Sequence, residues 1–445
     1  MATNNLTRRA FVGSLGAASL TLAACGGSNS GSGSAAAFDG ALTGTYDMHI
    51  EAYDWGCGVD KIVLALNAPL DAVDVDSFTV TEHKQATDWT AEDFPVVEAD
   101  FPRTVTAATV DGNNVELELA CDPNSGSPFL YTMATGYNTW CDPYELNIAL
   151  GEGVELTSGG TAVTSVAIEP VATSKTTAAD MFKVDSYECT DGTTYPYAYF
   201  EPEEPTETLF VWLHGAGEGG TEATDPYVTC LANKVTAFAG DEFQQTVGGA
   251  HVVVPQCPTI WMDIDGTATY ITAENSKEVK SYYTESCEEF IDAYAKKIGA
   301  TKIVLAGCSN GGFMTEWLGM RRPENYACVV PICEAVYDVL ITDEQIKAMV
   351  DLPMFYIYCT NDDDVIPSTC EEPTIKRLKE AGKTDETLHV FTCDEVVDTS
   401  GQYKNEDGTP YTYATHWSWI YFDNNEAPCN DDGLAAWDFI AEHVK

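Results

Sequence analysis

Basic residues are scarce in this chain of 445 residues. Lysine and arginine together number 22 against 70 aspartates and glutamates, which gives a formal net charge of −48 at pH 7. Because phosphate backbones are held by basic surfaces, this composition argues against nucleic acid as a partner. An acidic surface is also repelled by anionic membranes, and we expect it to keep the chain soluble in an external medium.

Closely spaced cysteine pairs are missing as well. No two of the 15 cysteines have C-x-x-C spacing, which argues against a zinc ribbon, and we predict no metal site. With Cys25 set aside, an even number remains, which in an exported chain suggests several disulfides. The pairs we expect are Cys121 with Cys141, around a predicted hairpin, and Cys308 with Cys333, on neighbouring strands.

Long apolar runs are also absent. The run from Val12 to Ala24 is too short to span a bilayer, and it follows Arg8-Arg9, as in twin-arginine export signals. It ends in Leu22-Ala23-Ala24-Cys25, which resembles a bacterial lipobox. We therefore predict an export signal over residues 1–24 and a lipidated Cys25 with a flexible tether over residues 25–40. A plain secretory signal is the alternative.

These features predict where the protein is found. We expect an extracellular protein that is anchored to the bacterial cell membrane through its N-terminal lipid only. The sequence leaves the oligomeric state open.

Residues 41–173 have a β-like pattern. Short runs rich in Val, Thr, Ile and Leu alternate with turns, of which 110–113 (Val-Asp-Gly-Asn) is the clearest, and the spacing suits a β-sandwich domain. The predicted strands are Lys61–Leu66, Ser77–Thr81, Thr104–Val110, Asn114–Ala120, Glu145–Leu150 and Ala162–Ile168. A small polar linker follows at Thr173–Asp180.

From residue 180 to residue 445 the pattern changes to alternating strands and helices. Continuous apolar runs suit strands that are buried on both faces, so we predict a doubly wound, mostly parallel α/β sheet. Helices are predicted over Ser276–Ile298 and Gly312–Met320. The predicted strands are Leu209–Leu213, His251–Pro255, Lys302–Ala306, Cys328–Ile332, Met354–Cys359 and Leu388–Thr392.

Ser309 is the candidate nucleophile. The strand Lys302–Ala306 runs into Gly307-Cys308-Ser309-Asn310-Gly311, which is G-x-S-x-G between a strand and a helix. In that context the serine hydroxyl is raised above the sheet edge at a helix N-terminus.

The serine needs a base, and the base needs an acid to orient it. On such folds the order along the chain is Ser, acid, His. We choose Asp363, four residues before Pro367 as in the pattern D-x-x-V-P, while Asp362 and Asp364 are rivals and Glu334 is less favoured. His416, in a loop after the last strand, is the candidate base.

The Gly-rich turn after the first core strand is the candidate oxyanion loop, His214 to Gly220. We expect the backbone amides of Ala216 and Asn310 to face the negative oxygen of a tetrahedral intermediate. Possible substrate-binding residues are Trp261, Trp417 and Trp419, which follow or precede site segments and could equally belong to the core.

Together these motifs resemble a known family. The runs Leu213-His214-Gly215-Ala216-Gly217-Glu218, Val254-Pro255-Gln256-Cys257-Pro258, Gly307-Cys308-Ser309-Asn310-Gly311-Gly312-Phe313 and Val330-Pro331-Ile332-Cys333 are similar to those of α/β-hydrolases labelled "predicted peptidases". Some of these are esterases with an N-terminal immunoglobulin-like domain, which the segment Trp55 to Val80 resembles. Gly219, Glu334 and the long insertion Asp394–Ala414 depart from the family pattern.

The resemblance implies an α/β-hydrolase fold behind an all-β immunoglobulin-like sandwich domain. It implies a serine hydrolase of a small-molecule carboxylic ester, with Ser309, Asp363 and His416 as the triad and no metal or organic cofactor. In such esterases the immunoglobulin-like domain is thought to aid assembly or to shape the site. A peptidase of the same fold and a non-catalytic surface binding protein are the alternatives.

Overall fold

The computed structural model describes residues 38–220 and 225–445. The predicted export signal, Cys25 and nearly all of the predicted tether lie outside these residues. Residues 40–445 form one compact unit. Within the described part, no helix combines the length and the apolar character that crossing a bilayer requires.

The first part of this unit, residues 41–177, is the β-region. Six strands form one sheet in the order β12-β1-β2-β6-β5, with β13 also paired to β1; a second sheet has the order β4-β3-β9, and two hairpins pair β7 with β8 and β10 with β11. The strands are β1 Ala41–Tyr53, β2 Gly56–Leu66, β3 Phe78–Thr87, β4 Val96–Arg103, β5 Val105–Asp111, β6 Asn114–Leu119, β7 Phe129–Tyr131, β8 Asn138–Trp140, β9 Tyr144–Leu150, β10 Thr157–Ser158, β11 Thr161–Ala162, β12 Ser165–Ile168 and β13 Ser174–Thr177.

Alternation of apolar and polar residues explains these sheets. Ile62 pairs with Leu117 and Leu64 with Val115 across β2 and β6, and all four side chains are buried. Their chain neighbours turn to the opposite face, as a pleated strand requires. The predicted turn between β5 and β6 is confirmed, with Gly112 at φ +61°, a left-handed conformation that suits glycine.

The second part, residues 183–445, is the α/β region. Its eight-stranded sheet has the order β14-β15-β17-β16-β18-β19-β20-β21. Only the pairs β14–β15 and β15–β17 are antiparallel. The strands are β14 Lys183–Glu188, β15 Thr194–Phe200, β16 Thr208–Leu213, β17 His251–Pro255, β18 Lys302–Cys308, β19 Cys328–Ile332, β20 Met354–Cys359 and β21 Leu388–Cys393.

Helices join these strands and cover the sheet. Every residue of β16, β19 and β20 is buried, which explains their continuous apolar sequences. The helices are α1 Pro226–Ala232, α2 Asp241–Val247, α3 Thr284–Ile298, α4 Asn310–Arg321, α5 Asp343–Ala348, α6 Glu371–Ala381, α7 Trp419–Asp423 and α8 Ala436–Val444. The predicted α/β-hydrolase fold class behind an all-β N-terminal region is confirmed.

Two local predictions differ from the structure. The helix predicted from Ser276 begins only at Thr284, and it ends before Gly299, whose φ of +75° closes the last turn. The predicted linker contains β13, and its last residue, Thr177, caps a short 3-10 turn together with Asp180. The hydroxyls of Thr176 and Thr177 bond to the Met48 carbonyl and the Ala179 amide, and these bonds hold the segment against the β-region.

The predicted disulfides are also absent, since all fourteen cysteines of the described residues are free thiols. Cys121 and Cys141 point to different acceptors: their Sγ atoms lie 3.2 Å from the carbonyl oxygen of Val59 and 3.3 Å from that of Gln85. Cys308 and Cys333 are buried, and burial raises the pKa of both thiols.

A cluster of buried carboxyl groups lies beneath α4. Glu316, Glu334 and Glu371 are each at most 1 % exposed. Burial raises the pKa of Glu316 to about 7. Burial and the neighbouring carboxyl groups raise the pKa of Glu334 well above its usual range. These groups are therefore protonated where exposed glutamates are already charged.

This cluster makes folding stability dependent on pH. Glu316 binds its proton more tightly in the folded chain, so its contribution is complete below about pH 4.5 and is lost as the pH rises through about 7. We expect the melting temperature of the wild type to fall over this window. In Glu316→Gln, which keeps the shape without the ionisation, the decline should be shallower. Thermal melts from pH 4.5 to 8.5 measure this. The exposed Glu324→Gln is the control, and equal slopes in Glu316→Gln and wild type would contradict the assignment.

Candidate active site

The site lies where the order of parallel strands reverses. β16 sits between β17 and β18, so the connections that follow β16 and β18 leave the sheet at the same edge. Clefts at the carboxyl ends of strands around such a reversal are where open α/β sheets bind ligands. The two segments that meet here are the oxyanion loop after β16 and the turn at Ser309 after β18.

Ser309 occupies a strained turn between β18 and α4. Its φ of +55° and ψ of −115° lie outside the regions that a non-glycine residue prefers, at a cost on the order of 1–3 kcal/mol. The turn is held by the Ser309 amide, which donates to the carbonyl of Ile332 at 2.8 Å. It is also packed too closely for a side chain at position 311, since a Cβ on Gly311 would lie 1.9 Å from the carbonyl oxygen of Leu213.

His214 fixes the start of the oxyanion loop. Its Nδ1 lies 2.6 Å from the carbonyl oxygen of Gly215, and its Nε2 accepts the Cys257 amide at 2.9 Å. Both ring nitrogens are therefore used by the neutral imidazole, and complete burial lowers the pKa of His214 to about 4. Further along the loop, a Cβ on Gly219 would meet the carbonyl oxygen of Thr259 at 2.0 Å, so this chain has no room for a long side chain there.

The two predicted oxyanion donors belong to one cavity. Ala216 and Asn310 both line it together with Ser309. The Asn310 side chain is held in place because its Oδ1 accepts the Trp261 amide at 2.5 Å. As the first residue of α4, Asn310 also has a backbone amide that lacks an acceptor within the helix. The dipole of α4 favours negative charge at the same end.

His416 pairs with Asp362 and not with Asp363, so the choice of Asp363 is wrong. The His416 Nδ1 lies 2.7 Å from Oδ2 of Asp362, whose other oxygen accepts the amides of Asp364 and Val365 at 2.9 and 3.0 Å. Asp362 is buried, whereas Asp363 is exposed and accepts a hydrogen bond from the Thr415 hydroxyl. The rival Asp364 lines the cavity without a bond to His416.

The error came from the register of a short pattern. Counting back from Pro367 selects Asp363, whereas counting back from Val365 selects Asp362, because Ile366 separates the valine from the proline. Glu334, the less favoured acid, belongs to the buried carboxyl cluster beneath α4.

The three tryptophans separate into two groups. Trp417 and Trp419 line the cavity, and the Trp419 ring meets that of His416 edge to face, with 5.8 Å between centroids. Trp261 is fully buried between Tyr195 and His214 and does not line this cavity, which agrees with the alternative that it belongs to the core. Its backbone amide still supports the site through Asn310.

The cavity has a volume of about 1190 Å³ and is shared by the two regions. The β7–β8 hairpin of the β-region packs on the oxyanion loop, where Nδ2 of Asn138 donates to Oε1 of Glu218 at 3.1 Å. Two residues along, Nε1 of Trp140 donates to Asp225, the N-cap of α1, at 2.7 Å. The β-region therefore forms one wall of the cavity.

Sequence reasoning missed these wall residues. Asn138 and Glu218 are 80 positions apart, and Glu82 and Lys84, which also line the cavity, look like ordinary solvent-facing charges on a strand. The one available signal was period-two alternation in β3, which places Glu82 and Lys84 on the same face as the apolar Phe78 and Val80.

Comparison with known proteins agrees with this geometry. Residues 198–398 match the family model described as phospholipase/carboxylesterase, and this confirms the resemblance to esterase-type α/β-hydrolases for that part of the chain. No curated protein matches the sequence.

Solved structures extend the likeness. A thermostable esterase is 20 % identical with a TM-score of 0.65, and the match covers 86 % of this chain and 96 % of that one, which takes it well into the β-region. A ferulic acid esterase (12 % identity, TM-score 0.38, 59 % and 98 % covered) and an S-formylglutathione hydrolase from Agrobacterium tumefaciens (13 %, 0.38, 59 % and 95 %) are more distant. The chain thus has the α/β-hydrolase fold, and its segment 198–398 matches the phospholipase/carboxylesterase family.

Proposed function

We propose that this protein is a serine hydrolase of carboxylic esters that works through an acyl-enzyme on Ser309, with His416 as base and Asp362 as orienting acid. The observation that carries the proposal is the bond of His416 to buried Asp362 in the cavity that Ser309 lines. The match of residues 198–398 to phospholipases and carboxylesterases supports ester substrates.

In the proposed cycle, the Ser309 Oγ attacks the ester carbonyl carbon while the His416 Nε2 takes its proton. The carbonyl oxygen becomes negative and is stabilised by the amides of Ala216 and Asn310. Collapse of this intermediate breaks the bond to the alcohol, which leaves with the proton from His416. Water then repeats the attack on the acyl-enzyme, which releases the acid and restores Ser309.

Asp362 acts through His416 in this scheme. Its carboxylate fixes the tautomer with the proton on Nδ1, so the other ring nitrogen is the one that accepts the serine proton. It also stabilises the imidazolium that forms during attack. The two amides on its second oxygen hold the carboxylate in one orientation.

The nucleophile is tested by covalent labelling. We expect a fluorophosphonate probe to modify the wild type at Ser309 and turnover of nitrophenyl acetate to fall by about 10⁴-fold or more in Ser309→Ala. Intact-mass and peptide mass spectrometry locate the adduct. An adduct elsewhere, or a folded wild type that is neither labelled nor active, would contradict the proposed function. Parallel assays with aminoacyl anilides test the peptidase alternative, for which we expect far slower cleavage.

The acid is tested by a pair of neighbouring substitutions. Asp362→Asn should lower kcat by roughly 10³- to 10⁴-fold, because the asparagine favours the wrong imidazole tautomer. Asp363→Asn removes the same charge one residue away and should stay within about threefold of the wild type. Steady-state kinetics with one ester substrate compares them, and comparable losses in both variants would remove the assignment of Asp362.

Glu218 is a titratable group close to the proposed oxyanion donors. It lies two residues after Ala216 in the oxyanion loop, and burial raises the pKa of Glu218 to about 7, which the hydrogen bond from Asn138 opposes. Above that pH a negative charge lies close to where the substrate oxygen becomes negative. Two like charges at short range in a buried site disfavour the transition state.

The resulting pH dependence can be measured. We expect kcat/KM of the wild type for a neutral ester to decline as the pH rises through about 7, because Glu218 then loses its proton. Glu218→Gln should hold its activity above this pH. Profiles from pH 5 to 9 compare it with the exposed control Glu203→Gln, and a decline that persists unchanged in Glu218→Gln would exclude Glu218 as its source.

A further inference from the structure

The wall that the β-region contributes to the cavity carries buried charge. Along β3, Glu82 and Lys84 follow Phe78 and Val80 on the inward face, and both line the same cavity as Ser309. Glu82 is fully buried and Lys84 is 8 % exposed. Charged side chains are seldom buried to this extent unless paired, so their partners decide what this wall presents.

The partners form a cation cluster of Glu82, Lys84 and Arg103. Lys84 Nζ lies 2.8 Å from Oε1 of Glu82, and Arg103 Nη1 lies 3.4 Å from Oε2 of the same carboxylate. One carboxylate thus sits between two cations, and the cluster keeps one positive charge in excess. Leaving such a charge buried without a counter-charge is costly.

Lys84 is the member of the cluster that has a donor left for a ligand. An ammonium has three N–H groups, and Lys84 donates one to the carbonyl of Ser127 while it forms an ion pair with Glu82, so at least one N–H group is left. Arg103 does not line the cavity, and its Nη2 donates to the carbonyls of Val59 and Ala120. The Lys84 ammonium is therefore the one positive group that this cluster presents to the cavity.

A carboxyl group also lines the cavity. Asp364 lines it together with Ser309, in a chain whose formal charge is −48. A negative group on a substrate is therefore repelled by Asp364 and attracted by Lys84, which favours binding with that group at Lys84.

On this geometry we propose that the cation cluster is a subsite for a carboxylate carried by the ester substrate. The substrate class is then a carboxylic ester with a free carboxylate remote from the bond that is cleaved. One available donor of a point charge suits a singly charged carboxylate rather than a phosphate, which recruits several donors. The inference rests on the proposed esterase function, since it concerns the substrate of the same cavity.

The test uses nitrophenyl esters of dicarboxylic acids of increasing length, each with its far carboxyl group either free or capped as a methyl ester. At the length that reaches Lys84 we expect the free acid to be preferred by about tenfold in kcat/KM, as for a hydrogen bond to a charged group. If the ratio of kcat/KM for the free acid to that for the capped ester were one or less at every length, the proposed subsite would be wrong. An ω-phosphate ester that is hydrolysed faster than its carboxylate counterpart would overturn the choice of carboxylate.

Variants assign the preference to the cluster. In Lys84→Met the ratio of free to capped substrate should fall to about one, and the ratio itself cancels a general loss of activity. Lys61→Met removes a lysine from β2 outside the cavity and should keep the wild-type ratio. Glu82→Gln removes the negative charge of the cluster and should raise this ratio, which provides a second test if Lys84→Met does not fold. A ratio that persists in Lys84→Met would overturn the assignment.

The two proposals fail in different ways. If neither ester is hydrolysed by the folded wild type, the esterase function itself is wrong. If both are hydrolysed in a manner that depends on Ser309 but without preference for the free acid, the esterase function stands and the carboxylate subsite is wrong.

Discussion

The close packing of the turn after β18 on the end of β16 is the contact on which the rest of the site depends. The backbone at Gly311 lies so near the carbonyl of Leu213 that no side chain fits between them. Leu213 leads directly into the oxyanion loop and Gly311 is two residues beyond Ser309. One backbone contact therefore brings the proposed nucleophile and both proposed oxyanion donors to the same edge of the sheet.

Around this contact, buried polar side chains fix the loops through hydrogen bonds to their backbone groups. Both ring nitrogens of His214 form hydrogen bonds with backbone groups, and the Asn310 Oδ1 accepts the amides of residues 261 and 262. Asp362 divides its two oxygens between His416 and the turn that follows β20. Because buried polar groups are costly when unpaired, each bond specifies one loop conformation.

Much of the α/β region could be predicted from the sequence, since strands buried on both faces leave continuous apolar runs and Ser309 sits in a pattern with a strand before it and a helix after it. Three consecutive aspartates could not be told apart, because which one turns inward depends on the course of a loop. The residues of the cavity wall could not be predicted from the sequence for another reason. Asn138 meets Glu218 only after two sheets have packed, and Glu82 and Lys84 are inward-facing charges, which strand patterns assign to solvent.

The origin of the cavity wall has a consequence for how such a protein diversifies. The proposed triad residues come from the loops of one sheet, while one wall of the cavity comes from strands that lie earlier in the chain and hydrogen-bond within their own sheets. A changed side chain on β3 or in the β7–β8 hairpin alters what the cavity accepts without moving the serine, the histidine or the acid. If the proposed function holds, the part of substrate selectivity that this wall determines can change in evolution while the proposed triad is conserved.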